Sequence, residues 1–268
     1  MIYNNGGSTQ HRFGSGGVTP AVKRIVKITV IVSLVQWVLE TSGQPVLQYF
    51  ALVPAFVFAK FMPWQLVSYM FLHGGLTHLA INMFILWMFG AEVERIWGSG
   101  RFLFYYFFTG IGAGICTYLS SAQSLIPTIG ASGAVFGVLL AYGMMFPNRT
   151  VLLWFLFPMK ARTMVILFGV MEFLASVGHV QDGIGHFAHL GGMLFGYIYL
   201  KNQGFFTNLM PKVKFVDDKG NEETGFEDAD FFEGEIDPIL DKISRYGMES
   251  LSEKELDKLR KAKHRMIH

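Results

Sequence analysis

From Ala134 to Phe146 the chain is apolar and carries no charge. A run of that kind must be buried, in a bilayer or in a protein core. Its opening, Gly130-Ala131-Ser132-Gly133, puts a serine where a helix starts. Backbone N–H groups are unpaired at such a start and the helix dipole is positive. A hydroxyl placed there can attack a carbonyl while nearby N–H donors hold the negative charge that develops. Taken alone, the same serine reads as a small-residue helix start bonded to its own backbone. The rest of the chain decides between the two.

Composition favours the bilayer. The 268 residues are 51% hydrophobic and only 16% charged, against about 25% charged in an ordinary soluble domain. The charges crowd into the N-terminal tail, a few short loops and the last third. A net charge of +2 is too small to argue for nucleic acid, so no nucleic-acid partner is expected. Cys116, the single cysteine, lies inside an apolar run and offers neither a disulfide framework nor a zinc-ligand set. A membrane zinc protease would need His-Glu-x-x-His, which the chain lacks; no metal and no cofactor are expected. No cleavable signal peptide is visible, and Met1 to Pro20 reads as a flexible Gly/Ser/Thr/Asn-rich tail.

With about 20 residues per crossing as the yardstick, six spans are predicted. They are Ile25–Leu39, Thr77–Val93, Phe102–Leu119, Ser132–Phe146, Met164–Val177 and His186–Leu200. Between the first two, Thr41 to Gly75 is aromatic and broken by Pro54 and Pro63. It reads as a loop in the interface, partly sunk among headgroups. Gly98-Ser99-Gly100 forms a tight turn, Val151 to Arg162 an apolar linker, and Gly178 to Gly185 a Gly-rich loop. Arg12, Lys23, Arg24, Lys27, Arg95, Arg101, Arg149, Lys160, Arg162 and Lys201 fall on one side, and only Lys60 on the other. By the positive-inside rule both termini are cytoplasmic, in a multi-pass protein of the plasma (inner) membrane.

Polar side chains inside lipid are costly, so their positions carry information. Spans two, four and six all run from outside to inside, and each has its polar group early. His78 and Asn82 share a helical face on span two, Ser132 opens span four, and His189 lies one turn into span six. Counting 1.5 Å per residue from the inner charges puts all of them roughly 18–26 Å up, in the outer half and at similar depth. Gly133 with Gly137, and Gly192 with Gly196, are small-xxx-small pairs that let two helices approach closely. Phe136, one turn below Ser132, is placed to lie beside the His189 ring.

These residues together resemble the signature set of the rhomboid intramembrane serine proteases, of the bacterial type. The resemblance runs from about Trp64 to Gly196 with the motifs in order on the matching spans. It implies an all-α membrane protein, a six-helix rhomboid-like bundle that cuts membrane-helix substrates near their outer end. It further implies that Ser132 is the nucleophile and His189 the general base, a dyad without a third member. His78 and Asn82, with the Ser132 N–H, would form the oxyanion hole. Glu94 and the Gly98-Ser99-Gly100 turn match a structural turn of the family, and the Gly178–Gly185 loop its active-site cap. One departure stands out: the family often carries Trp-Arg in the first loop, and here Trp64 is followed by Gln65.

The domains expected are the tail 1–22, the catalytic domain 23–202, an acidic linker 203–234 and a small helical cytoplasmic hairpin 235–268, whose partner is unknown. In the hairpin, Gly247 is a plausible helix stop and Ser252-Glu253-Lys254-Glu255 has capping-box form. Two other functions compete with the protease. A catalytically silent rhomboid-like client binder would lose the serine or the histidine, and this chain has both. A transporter would need a polar path through both leaflets, whereas the inner halves of spans two, four and six are almost wholly apolar. His73 is expected to pin the first loop, and His186 to face the water-filled mouth as the one rival base. Glu172, in span five, is expected to make a helix-packing hydrogen bond. A gating role is its alternative, and a third-member role is disfavoured because span five is not among the site helices.

Overall fold

Pro20 stands at the first position of helix α1 (Pro20–Thr41), where its missing N–H is no loss. The next two N–H groups, of Ala21 and Val22, donate to the Glu94 carboxylate at 2.7 and 2.9 Å. The Thr19 and Ser99 hydroxyls donate to it as well. Glu94 is 2% exposed, and these four donors compensate its burial. The turn that the sequence marks as structural therefore also caps the first helix.

The computed structural model describes residues 17–153, 157–178, 185–202 and 204–206, with 215–216, 222–223, 236, 238–239, 242–243 and 247–259 of the C-terminal part. Most of the N-terminal tail, the centre of the Gly178–Gly185 loop and most of the acidic linker lie outside these residues.

After α1 come three short helices, α2 (Val46–Phe50), α3 (Pro54–Val57) and α4 (Gln65–Ser68), and a 3-10 turn at Tyr69–Phe71. The first loop is thus built rather than irregular. Leu52, Val57, Tyr69 and Met70 join the main core, while Phe58, Phe61 and Trp64 stay exposed. Gln65 is fully buried and ties the loop together. Its amide donates to the Gln48 carbonyl at 3.1 Å, and its carbonyl accepts the Val53 N–H at 3.1 Å. Anchoring of the loop, in doubt from the Trp64-Gln65 departure, is supplied by the glutamine itself. His73 pins the other end: its carbonyl accepts from Trp37 Nε1 at 2.8 Å and its N–H donates to Gln36 at 3.0 Å.

Helix α5 (Leu76–Ile85) runs through one wide π turn, Leu86–Gly90, into α6 (Ala91–Ser120). Gly98 breaks α6 with φ 74° and ψ 161°, a conformation open to glycine and costly for other residues. This is the predicted turn between spans two and three. The π turn has no signal in the sequence. Then follow α7 (Ser132–Met145), α8 (Ala161–Val177) and α9 (His186–Lys201). Between α7 and α8 the expected linker is instead an antiparallel hairpin, β1 (Thr150–Leu153) and β2 (Phe157–Lys160), with Thr150 opposite Lys160. Its residues Thr150, Val151 and Phe157 suit strands, a preference hidden by the general apolarity of the chain.

Helices α6, α7 and α9 pack on one another at the centre, α1 lies along α6, and α8 lies against α7 and α9. Glycine sets the closest approach. A methyl on Gly192 would lie 1.9 Å from the Gly133 carbonyl oxygen, and one on Gly196 2.5 Å from the Tyr105 hydroxyl. Tyr105 in turn donates to the Gly137 carbonyl at 2.7 Å.

In the C-terminal part, β3 (Phe215–Val216) pairs with β4 (Glu222–Glu223) inside the stretch expected to be a linker. Residues 253–259 are helical. Ser252 N–H donates to Glu255 Oε2 at 2.7 Å and Glu255 N–H to Ser252 Oγ at 3.4 Å, the reciprocal bonds of a capping box. Gly247, at φ 79°, closes the preceding turn on the Ile243 carbonyl. The Ser252 N–H, with Lys242 and the Ser252 hydroxyl, holds the Glu255 carboxyl down at about 2. The cap is therefore complete above the ordinary carboxylate range and is lost as the pH falls through about 2.

Candidate active site

Ser132 is the first residue of α7, so its hydroxyl lies beside N–H groups that no preceding turn can pair. His189 lies one turn into α9, and the glycine contact between α7 and α9 brings the two side chains together. His189 Nε2 is 2.8 Å from Ser132 Oγ. Phe136 stacks on the imidazole with ring centres 4.2 Å apart and planes 8° apart. The ring is held in plane from below, as the spacing of Phe136 from Ser132 predicts. His186, the rival base, points elsewhere: its Nδ1 is 2.6 Å from Glu172 Oε2.

The two candidates for the oxyanion hole sit differently. His78 lies over Gly130, where a methyl would be 2.9 Å from His78 Nε2 and 3.7 Å from Ser132 Oγ. The Gly74 N–H is 3.4 Å from His78 Nδ1. With Nδ1 accepting, the ring proton belongs on Nε2, on the Gly130 side. Gly130 itself has φ 121°, so both its backbone and the histidine above it exclude a side chain. Asn82 is buried and donates one amide hydrogen to the His78 carbonyl at 3.0 Å. An amide carries a second hydrogen, but the described contacts of Asn82 do not include Ser132.

Glu172 is where sequence reasoning fell short. It does bond across a helix interface, as expected, yet the helix it reaches is the one that carries His189. Its Oε1 lies 3.0 Å from His189 Nδ1 and its Oε2 2.6 Å from His186 Nδ1. The fifth helix is therefore part of the site after all. A signal existed: an acid in an apolar helix, about 15 Å above Arg162 by helical rise, near the depth of about 18 Å counted for His189. Glu172, His186 and His189 also form the kind of group that can hold a metal, with one ligand atom each within 4.8 Å of one another. Ligand atoms around a tetrahedral zinc stand about 3.3 Å apart. The contacts made by both carboxylate oxygens, 2.6 and 3.0 Å, are shorter, so in this arrangement the carboxylate is already engaged by the two imidazoles.

Residues 60–202 match the Rhomboid domain family, and residues 227–262 a family of unknown function (DUF6576). The chain is 37% identical over 136 residues to Rhomboid protease GluP of Bacillus subtilis, covering 50% of this chain and 25% of that protein. It is 32% identical over 174 residues to Rhomboid protein 1, mitochondrial, of Saccharomyces cerevisiae, covering 61% and 47%. To RHOMBOID-like protein 5 of Arabidopsis thaliana it is 31% identical over 156 residues, covering 58% and 48%. The chain thus spans from a quarter to about half of the length of these relatives. They come from a bacterium, a yeast and a plant, so the matches carry the family and not one branch of it. With its domain matched over residues 60–202, this mostly helical chain belongs to the rhomboid family of membrane proteins.

Proposed function

We propose that this chain is an intramembrane serine endopeptidase in which Ser132 attacks the scissile carbonyl and His189 takes its proton. The observation that carries the reading is the 2.8 Å approach of His189 Nε2 to Ser132 Oγ at the start of α7. A ring nitrogen at that distance can receive the hydroxyl proton as the C–O bond forms, and then give it to the leaving amine. The Ser132 N–H, His78 and the second Asn82 hydrogen would stabilise the oxyanion. A silent client binder has no need of a serine held at bonding distance from a stacked histidine.

In this reading α1, the two halves of Leu76–Ser120, α7, α8 and α9 are six crossings, with both termini on the cytoplasmic side of the plasma membrane. The stretch Leu76–Ser120 is long and apolar enough to cross. Substrates would be single-pass membrane helices cut near their outer end, at the depth of Ser132. Residues 203–234 would be a linker and 235–268 an appendage outside the catalytic domain. The test is labelling by a fluorophosphonate, which reacts with an activated serine. Wild type is expected to be labelled and Ser132→Ala not; equal labelling of both would refute the reading.

Three further expectations follow. Asn82→Ala is expected to lower kcat by roughly 10²–10³ at most, the worth of one oxyanion donor, and His78→Ala by less. Complete inactivation of a folded Asn82→Ala protein would give the residue another role. Truncation after Gln203 is expected to leave cleavage in detergent intact, because every proposed site residue precedes it. A truncated protein that inserts but cleaves nothing would make the C-terminal part a component of the enzyme.

A further inference from the structure

We propose that Glu172 is a positioning residue for His189, so that the site works as a carboxylate-assisted dyad; the proposal rests on the protease reading above. Three elements meet at one ring. Ser132 Oγ stands 2.8 Å from Nε2, Glu172 Oε1 3.0 Å from Nδ1, and Phe136 from α7 lies flat against the face. Glu172, on α8, is mostly shielded from solvent, and its second oxygen is held by His186 at 2.6 Å. The carboxylate is therefore clasped from one side and turned toward His189 on the other.

Chemistry gives this arrangement a purpose. A neutral imidazole has one ring proton, and Nε2 must be free of it to accept the proton of Ser132. A carboxylate beside Nδ1 keeps the ring proton on Nδ1, and so keeps Nε2 basic. When the Ser132 oxygen bonds to the carbonyl carbon, its proton moves to Nε2 and the ring becomes a cation. Glu172 stays ionised throughout and faces that cation; the proton then leaves Nε2 for the departing amine. In the present arrangement the Nδ1–Oε1 contact lacks hydrogen-bond alignment, as such contacts often do before substrate binds. Phe136 holds the plane of the ring independently, so loss of the carboxylate costs less than in a triad where it alone orients the histidine. Among the described residues, the other titratable groups near the ring are His186 on its own helix and His78 on α5, which lies over Gly130 beside Ser132. Cys116 of α6 packs on the opposite side of α9, against Gly191.

The experiment uses the full-length protein in proteoliposomes with a transmembrane peptide substrate, measuring kcat and KM across pH. Glu172→Gln is expected to lower kcat about 10²-fold with KM within about twofold, less than the 10⁴ of an unassisted triad. The acid limb of the kcat profile should move to lower pH, because the histidine cation loses its counter-charge. Glu172→Asp should restore part of kcat and return the limb toward wild type. A Glu172→Gln protein with wild-type kcat and an unmoved limb overturns the proposal. So does a loss of activity that only follows lower thermal stability, with the limb in place. Should the variants fail to fold, ¹⁵N-imidazole spectra of the wild type decide. His189 with its proton on Nδ1 supports the proposal, and a proton on Nε2 in the neutral ring overturns it. Ser132→Ala separates the two levels. If that variant still cleaves, the protease reading falls; if it is dead while Glu172→Gln matches wild type, only the role of Glu172 falls.

Discussion

Ser132→Ala and His189→Ala are each expected to abolish cleavage, by roughly 10⁶-fold in kcat, the scale set by dyad members acting as one unit. The double variant should be no worse than either single one, because neither group does the chemistry without the other. Their effects on the fold should differ. The Ser132 hydroxyl makes one described hydrogen bond, to His189, so its loss costs about 1 kcal/mol and the protein should insert and melt much as wild type does. His189→Ala removes more, since it unstacks Phe136 and leaves the largely shielded Glu172 with His186 as its remaining histidine contact. Its melting temperature should fall further than that of Ser132→Ala. Turnover of a membrane peptide by Ser132→Ala at the wild-type rate would exclude the serine mechanism. Activity kept in His189→Ala and lost in His186→Ala would move the base to the other ring.

Gly192→Ala is expected to lower cleavage by at least about 10², although it touches no reacting atom. The added methyl would sit 1.9 Å from the Gly133 carbonyl oxygen and 2.7 Å from its carbon. The obstacle is backbone, so no side chain can turn aside, and α9 must back away from α7. Overpacking of this kind costs about 1–3 kcal/mol, which lowers Tm by roughly 2–4 °C per kcal/mol in a chain this size. The helix that retreats carries His189 and the helix it leaves carries Ser132. A displacement of about 1 Å is worth about 10² in rate, so cleavage should fall at least that far. Gly204→Ala, where a methyl meets nothing within 4 Å among the described residues, is the control and should be silent. An active, stable Gly192→Ala protein would show that the close approach is dispensable.

The parts of the site carried by short motifs were legible in the sequence. Ser132 at a helix start, His189 one turn into the last long helix and the paired glycines depend on local spacing, which residue order records directly. The stacking of Phe136 followed from the same spacing. What escaped notice depends on rotation of one helix against another. Glu172 could be assigned a depth by counting residues, but the direction it faces comes from how α8 packs on α9. The buried Gln65 was obscure for a related reason. Its loop partners Gln48, Tyr49 and Val53 are distant in sequence, and a comparison by residue type showed only that an arginine was missing. The β1–β2 hairpin was hidden because its apolar strands look like any other apolar stretch in a chain so rich in them.

Helix α8 presents Ile166, Val170, Met171, Phe173, Leu174 and Val177 outward, and buries Ala161, Met164 and Val165 at its start. Toward its far end it also buries Ser176, and the clasp of Glu172 on the two histidines of α9 ties it inward. With Glu172 positioning the base, that fastening is an interlock. Swinging α8 outward to admit a substrate helix would carry the carboxylate off His189 and leave the serine without its full assistance. Under the proposed role of Glu172, reseating α8 would restore it, so an open door and a fully assisted Ser132 would not be offered together.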